Sequence, residues 1–184
     1  MNDLISIEGV KKTIFGAGSL AQVAEECKAL KGSRALLVMD RGLSETDIRS
    51  RVEEYLRKAR IKTFLYPEIT PEPAPALADD GAALAKKEKV SCVIGIGGGS
   101  TMDVAKAIAV LVKNEGKAED YVGLDIVKNP GIPSIMVPTT AGTGSEVTFT
   151  SCLLYTSPSP RDCKVDLVCR LLLEKGGGGG GGGG

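Results

Sequence analysis

Hydrophobic positions in the first 150 residues alternate between short continuous apolar runs and longer segments with helical spacing. The short runs have the length and the continuity of strands buried on both faces of a parallel sheet. The predicted strands are residues 12–15, 35–39, 62–66, 92–94 and 132–137. The predicted helices are residues 19–31, 44–59, 74–88 and 100–112. This alternation predicts an α/β fold, a Rossmann-like and mostly parallel sheet with helices on both faces.

A glycine-rich turn follows the apolar run of residues 92–94. The sequence SCVIGIGGGS passes through Gly97, Gly98 and Gly99 into an almost wholly apolar helix. A strand, a glycine turn and a helix in this order bring backbone N–H groups and a helix N-terminus against a phosphate. Ser100 is a favourable N-cap, and Asp103 three residues later suits a capping box. The strict G-x-G-x-x-G pattern is not met, so a plain tight turn remains the alternative.

An acidic residue ends the second predicted strand. In nucleotide-binding α/β sheets the ligand lies at the carboxyl ends of the strands, where an acid can accept hydrogen bonds from ribose hydroxyls. Asp40 occupies such a position and would repel a 2′-phosphate, so it favours NAD over NADP. It precedes the glycine turn along the chain, whereas the usual ribose-binding acid follows it. The alternative is a solvated loop aspartate.

The stretch PTTAGTGSEVT, residues 138–148, follows the last predicted strand. Because the strands are parallel, its hydroxyls and glycines should collect at the same sheet edge as the glycine turn. Thr139, Thr140 and free N–H groups there suit a diphosphate or a ribose. The alternative is a loop in which these side chains bond only to neighbouring backbone groups.

Composition limits the classes of function. The chain has 23 basic and 23 acidic residues, a balance that argues against a nucleic-acid partner or a membrane surface. No apolar run approaches the roughly 20 residues that span a bilayer. The N-terminus lacks the pattern of a signal peptide, which favours a cytoplasmic protein. Cys27 and Cys92 are too far apart for a metal-binding CxxC pair, and Cys92 is interpreted as a core residue.

The last part of the sequence differs in character from the rest. The run LLYTSPSPRD, residues 153–162, resembles translated sequencing-adapter read-through, and the nine glycines of residues 176–184 resemble a translated homopolymer. The alternative is a genuine flexible glycine-rich tail. We therefore expect a dinucleotide-binding domain over residues 1–150, incomplete at its end, and a non-native or disordered tail over residues 151–184.

Three motifs together carry a family resemblance. FGAGSL (residues 15–20), GIGGGSTMDVAK (95–106) and PTTAGTGSEVT (138–148) resemble the N-terminal domain of the iron-containing alcohol dehydrogenases. The resemblance covers about residues 4–150. It implies NAD(P)-dependent interconversion of a small alcohol and an aldehyde by hydride transfer, with Fe2+ or another divalent metal polarising the substrate oxygen. Relatives commonly dimerise through this domain, so a homodimer is possible.

The resemblance also implies site residues. Asp40 matches the family's acid beside the adenosine ribose, and Gly98, Gly99 and Ser100 match its pyrophosphate contacts. Thr139, Thr140 and Thr148 match residues that line the cofactor cleft, and Asp103 matches the aspartate of the glycine motif. The expected cofactor-binding set is therefore Asp40, Gly97, Gly98, Gly99, Ser100, Asp103, Thr139, Thr140 and Thr148.

One departure from the family is large. Its metal ligands are one aspartate and three histidines, which lie in an all-helical C-terminal domain, and the 184 residues contain no histidine. With that domain missing, the chain is expected to supply the cofactor site only and to be inactive. Two alternatives remain: a related glycerol dehydrogenase or dehydroquinate synthase type of enzyme, and a stand-alone, non-catalytic nucleotide-binding module.

Overall fold

A computed structural model describes residues 11–70, 72–123, 126–148, 150–154 and 164–168. A four-stranded parallel sheet in the order β2-β1-β3-β4 forms its centre. The strands are β1 (Arg34–Asp40), β2 (Lys62–Ile69), β3 (Cys92–Gly97) and β4 (Ser134–Pro138). All three strand pairings in this sheet are parallel, so the predicted α/β fold is confirmed.

Helices connect these strands. They are α1 (Val23–Ala29), α2 (Arg41–Ser44), α3 (Asp47–Lys58), α4 (Pro75–Lys87) and α5 (Gly99–Leu111). Two short 3-10 helices, Ser19–Gln22 and Ala118–Tyr121, precede α1 and follow α5. Pro75 begins α4, where its fixed φ suits the helix and its missing N–H costs nothing.

The sheet separates two apolar clusters. In β1, Leu36 and Val38 belong to the cluster that contains α4 and α5, whereas Leu37 and Met39 belong to the cluster that contains α1 and α3. Successive strand residues point to opposite faces, so one apolar run supplies both clusters. Helices therefore cover both faces of the sheet, as predicted.

The structure differs from the sequence predictions at two places that bear on the site. Residues 12–15 form no strand. Helix α5 begins at Gly99 with Gly98 as its N-cap, so the prediction that Ser100 caps this helix, with Asp103 completing a capping box, is wrong. Three successive glycines let the chain enter the helix earlier than the hydroxyl of Ser100 suggested.

Beyond residue 148 the described chain forms an antiparallel pair. Strand β5 (Thr150–Leu154) pairs with β6 (Lys164–Val168), and the side chains of Ser151 and Leu153 are buried. The hydroxyl of Ser151 donates a 2.7 Å hydrogen bond to the carbonyl of Asp103 in α5. Most of the tail predicted for residues 151–184 lies outside the described residues. No helix in the described part of the chain is long and apolar enough to cross a membrane.

Candidate cofactor-binding site

The glycine turn joins the buried strand β3 to the buried helix α5. A Cβ on Gly97 would lie 2.5 Å from Thr101 Oγ1 and 2.7 Å from Thr101 Cβ, so only glycine fits there. The first turn of α5 has the uncharged sequence GSTM. The partial positive charge of this helix N-terminus is therefore not offset by a carboxylate in that turn, which favours an anion.

The threonine-rich stretch, residues 139–148, lies directly against this turn. Pro138 pairs with Gly97 in the parallel ladder, and the N–H of Thr139 donates a 2.9 Å hydrogen bond to the carbonyl of Gly97. A Cβ on Gly98 would lie 3.3 Å from Thr140 Oγ1. The two loops predicted to share one sheet edge are thus in contact.

Asp40 lies at the same edge. Val38 pairs with Gly95, so the chain two residues further along β1 reaches the level of Gly97. The Asp40 carboxylate accepts a 2.8 Å hydrogen bond from the N–H of Leu43 and caps α2. This bond uses Oδ1 and holds the side chain at the carboxyl end of the sheet.

A buried polar network fastens the far end of the threonine-rich stretch to α5. The ammonium of Lys106, fully buried, lies 2.7 Å from the Asp103 carboxylate. It donates to the carbonyl and the hydroxyl of Ser145, at 3.1 and 3.0 Å, and to the hydroxyl of Thr148 at 3.3 Å. Ser145 in turn donates a 2.5 Å hydrogen bond to Asp103. Both loop ends are therefore attached to the β3–α5 unit.

The predicted site residues separate into two groups. Gly98, Gly99 and Ser100 are half-buried at the turn, and Thr139 and Thr140 are exposed beside it. Asp103 and Thr148 instead direct their side chains to Lys106 and its partners. Sequence reasoning missed the roles of Lys106 and Ser145, although a lysine in so apolar a helix was a visible signal.

Within the part of the chain that the structure describes, the side chains do not form a site for a metal ion. The chain has no histidine, and the described residues contain no group of three or more His, Cys, Asp or Glu side chains that could hold one. Cys27 and Cys92 are both buried in the cluster beneath α1 and α3. The hydrogen bond that the Cys92 thiol donates to Cys27, together with burial, raises the pKa of Cys92, which makes it a poor ligand.

A parallel sheet whose glycine turn and threonine-rich loop meet at one edge defines a Rossmann-like α/β domain. Residues 11–167 match the model of the family described as iron-containing alcohol dehydrogenase. The chain belongs to this family.

Characterised relatives support the assignment. The chain is 42% identical over 147 residues to a sulfoacetaldehyde reductase of Bilophila wadsworthia, covering 80% of this chain and 38% of that protein. It is 33% identical over 156 residues to an NAD-dependent methanol dehydrogenase of Bacillus methanolicus, covering 85% and 40%. The chain thus spans about two fifths of the length of these relatives.

Solved structures match the fold. A 1,3-propanediol oxidoreductase superimposes with a TM-score of 0.84 and 32% identity, covering 91% of this chain and 43% of that one. A sulfoacetaldehyde reductase from Bifidobacterium kashiwanohense, solved in complex with NAD+, superimposes with a TM-score of 0.71 and 27% identity, covering 84% and 40%.

Proposed function

We propose that this chain provides the NAD-binding part of a metal-dependent alcohol dehydrogenase that interconverts a small alcohol and an aldehyde. The observation that carries the proposal is the contact between the turn at Gly98 and the loop at Thr140, at the N-terminus of α5. A helix N-terminus flanked by hydroxyls and backbone N–H groups is the usual protein environment for a diphosphate.

Each predicted residue has a defined part in this proposal. Gly98, Gly99 and Ser100 line the diphosphate, since small residues let the backbone approach the phosphate oxygens. Thr139 and Thr140 supply hydroxyl groups from the opposite side. The bound nicotinamide would supply the hydride acceptor, and the residues of these two loops would hold the diphosphate beside the N-terminus of α5.

Asp40 determines the preference for NAD in this proposal. Its Oδ1 accepts from Leu43, which leaves Oδ2 available for a ribose hydroxyl. The same negative charge would repel the 2′-phosphate of NADP, so NADP should bind more weakly.

The described residues do not form a binding site for the metal ion. The family name implies iron, yet the donor set that would hold it is not found in the described chain. We expect this chain alone to show no alcohol oxidation. An assay with NAD, Fe2+ and a panel of short alcohols tests this, and robust metal-dependent turnover would contradict it. A cytoplasmic location and a homodimer remain predictions.

Calorimetric titration with NAD tests the cofactor site. Gly98 has extended backbone angles that valine also adopts, so Gly98→Val should fold but fill the space beside Thr140. We expect wild type to bind NAD and Gly98→Val to bind about tenfold or more weakly, since one lost charged hydrogen bond accounts for that ratio. Lys87→Val, on an exposed position at the C-terminal end of α4 and away from the glycine turn, is the control. Equal affinities for all three chains would refute the proposal.

A further inference from the structure

The network of Lys106, Asp103, Ser145 and Thr148 holds no exposed charge. Lys106 is fully buried and Asp103 is 8% exposed, and their charges cancel at 2.7 Å. A buried ion pair of this kind contributes little stability over an apolar pair of similar volume, but breaking it leaves an uncompensated charge. A contribution to stability therefore does not explain why Lys106 and Asp103 lie in an otherwise apolar helix.

The network lies where the threonine-rich stretch, residues 139–148, is attached to α5. The stretch of residues 139–148 is attached at its first residue by the Thr139–Gly97 backbone bond. It is attached near its last residues by the bonds from Lys106 to Ser145 and Thr148. Between these attachments the chain from Thr139 to Thr143 is exposed, and Thr140 faces Gly98.

The same helix carries both parts of this arrangement. Gly99 opens α5 at the proposed diphosphate site, and Lys106 lies two helical turns further along it. A loop bonded to Lys106 is therefore positioned relative to the helix N-terminus by a rigid element.

We propose that Lys106 is a positioning residue for the cofactor, acting through Ser145 and Thr148 to hold the threonine-rich stretch against the glycine turn. The inference rests on the proposed NAD site. It assigns Lys106 no contact with the phosphates: the charge of Asp103 neutralises the ammonium, so the effect is geometric. Asp103 then serves as the partner that holds the Lys106 side chain in place.

The test uses the full chain and three variants: Lys106→Met, Ser145→Ala and Asp103→Asn. The control variant is Lys113→Met, which replaces an exposed lysine just beyond α5. Two quantities are measured: hydrogen exchange of backbone amides in residues 139–148 without ligand, and the dissociation constants of NAD and AMP. AMP carries the adenosine and one phosphate, so it depends least on the threonine-rich stretch.

We expect all three variants to exchange faster in residues 139–148, with the amides of β1 and β3 unchanged. NAD should bind about tenfold more weakly and AMP within about twofold of wild type, as expected when bonds to a charged group are lost on one side of the site. Lys113→Met should match wild type. Ser145→Ala leaves no buried charge unpaired, so it carries the test if Lys106→Met does not fold.

Three outcomes would overturn the inference: unchanged exchange in residues 139–148, equal losses of NAD and AMP affinity, or tighter NAD binding by Asp103→Asn. The last would show that the lysine acts by its charge on the phosphates. If wild type fails to bind NAD, the proposed function fails; the exchange data alone then decide whether Lys106 holds this loop.

Discussion

The backbone N–H of Thr139 donates to the carbonyl of Gly97, extending the pairing of β3 and β4 by one bond past the end of the ladder. That bond sets the two loops side by side before any side chain takes part. The glycine turn and the threonine-rich stretch are therefore one structural unit. A substitution in either segment should alter the conformation of both.

The strongest steric requirement in this unit is at Gly97. A Cβ there would overlap the β-branched side chain of Thr101, which has little rotamer freedom in a helix. Gly97→Ala should lower the free energy of unfolding by about 1–3 kcal/mol, as overpacking usually does. Urea denaturation measures this. Gly99→Ala, with ordinary contacts in a helix, is the control and should be neutral or slightly stabilising.

Asp40 combines a structural and a proposed functional task, and two substitutions separate them. Asp40→Asn keeps an oxygen for the Leu43 N–H but loses the charge, whereas Asp40→Ala loses both. Asp40→Ala should cost about 1 kcal/mol through the lost N-cap, and Asp40→Asn much less. Both substitutions should lower the ratio of the NAD affinity to the NADP affinity. Titration with the two cofactors measures this, and an unchanged ratio in both variants would remove Asp40 from the site.

Tyr66 makes stability depend on alkaline pH. Burial, with the carboxylates of Asp80 and Glu68, raises the pKa of Tyr66 to about 12, from an ordinary value of 10.0. Its hydroxyl donates a 2.8 Å hydrogen bond to the carbonyl of Leu77 at the start of α4. The folded state holds the phenol proton more tightly than the unfolded state does. The contribution of Tyr66 to the free energy of unfolding is therefore complete below pH 10 and is lost as the pH rises towards 12.

Tyr66→Phe isolates the contribution of that hydroxyl. The variant should be about 1 kcal/mol less stable than wild type at pH 8. The difference should shrink between pH 10 and 12, because only wild type must protonate the phenol to fold. Thermal unfolding of both chains across this range measures it; a difference independent of pH would show that the phenol is not perturbed.

The sheet and its functional edge follow from local patterns in the sequence. The run ALLVM is apolar at every position because β1 is buried on both faces, and the parallel rule alone brings Asp40, Gly97 and Thr139 to one edge. No side-chain geometry was needed for that prediction. The assignment of these residues to a cofactor remains a prediction.

The buried network could not be predicted in the same way. Lys106 is visible as a charge in an apolar helix, but its partners Ser145 and Thr148 lie 39 and 42 residues away. Such pairing depends on packing of the loop against α5, which periodicity does not encode. The capping box failed for a local reason: a serine and an acid at the right spacing compete with a glycine that starts the helix earlier.

Asn114 connects the end of α5 to the segment that leads into β4. Its amide nitrogen donates 2.9 Å hydrogen bonds to the carbonyls of Val110 and Asn129, and its oxygen accepts from the N–H of Asn129 at 3.1 Å. The side chain is 4% exposed, so removing it leaves backbone groups of Asn129 without these partners. Asn114→Ala should lower the free energy of unfolding by about 2–3 kcal/mol.

Asn129→Ala is the matched control, because Asn129 takes part through its backbone and is itself exposed. It should unfold within about 0.5 kcal/mol of wild type, as exposed substitutions usually do. Urea denaturation of the two variants provides the comparison. If both are equally stable, the bonds of Asn114 are replaced by water and the approach to β4 does not depend on it. If only Asn114→Ala is destabilised, this side chain fixes the approach of the segment that carries Thr139 to the sheet edge.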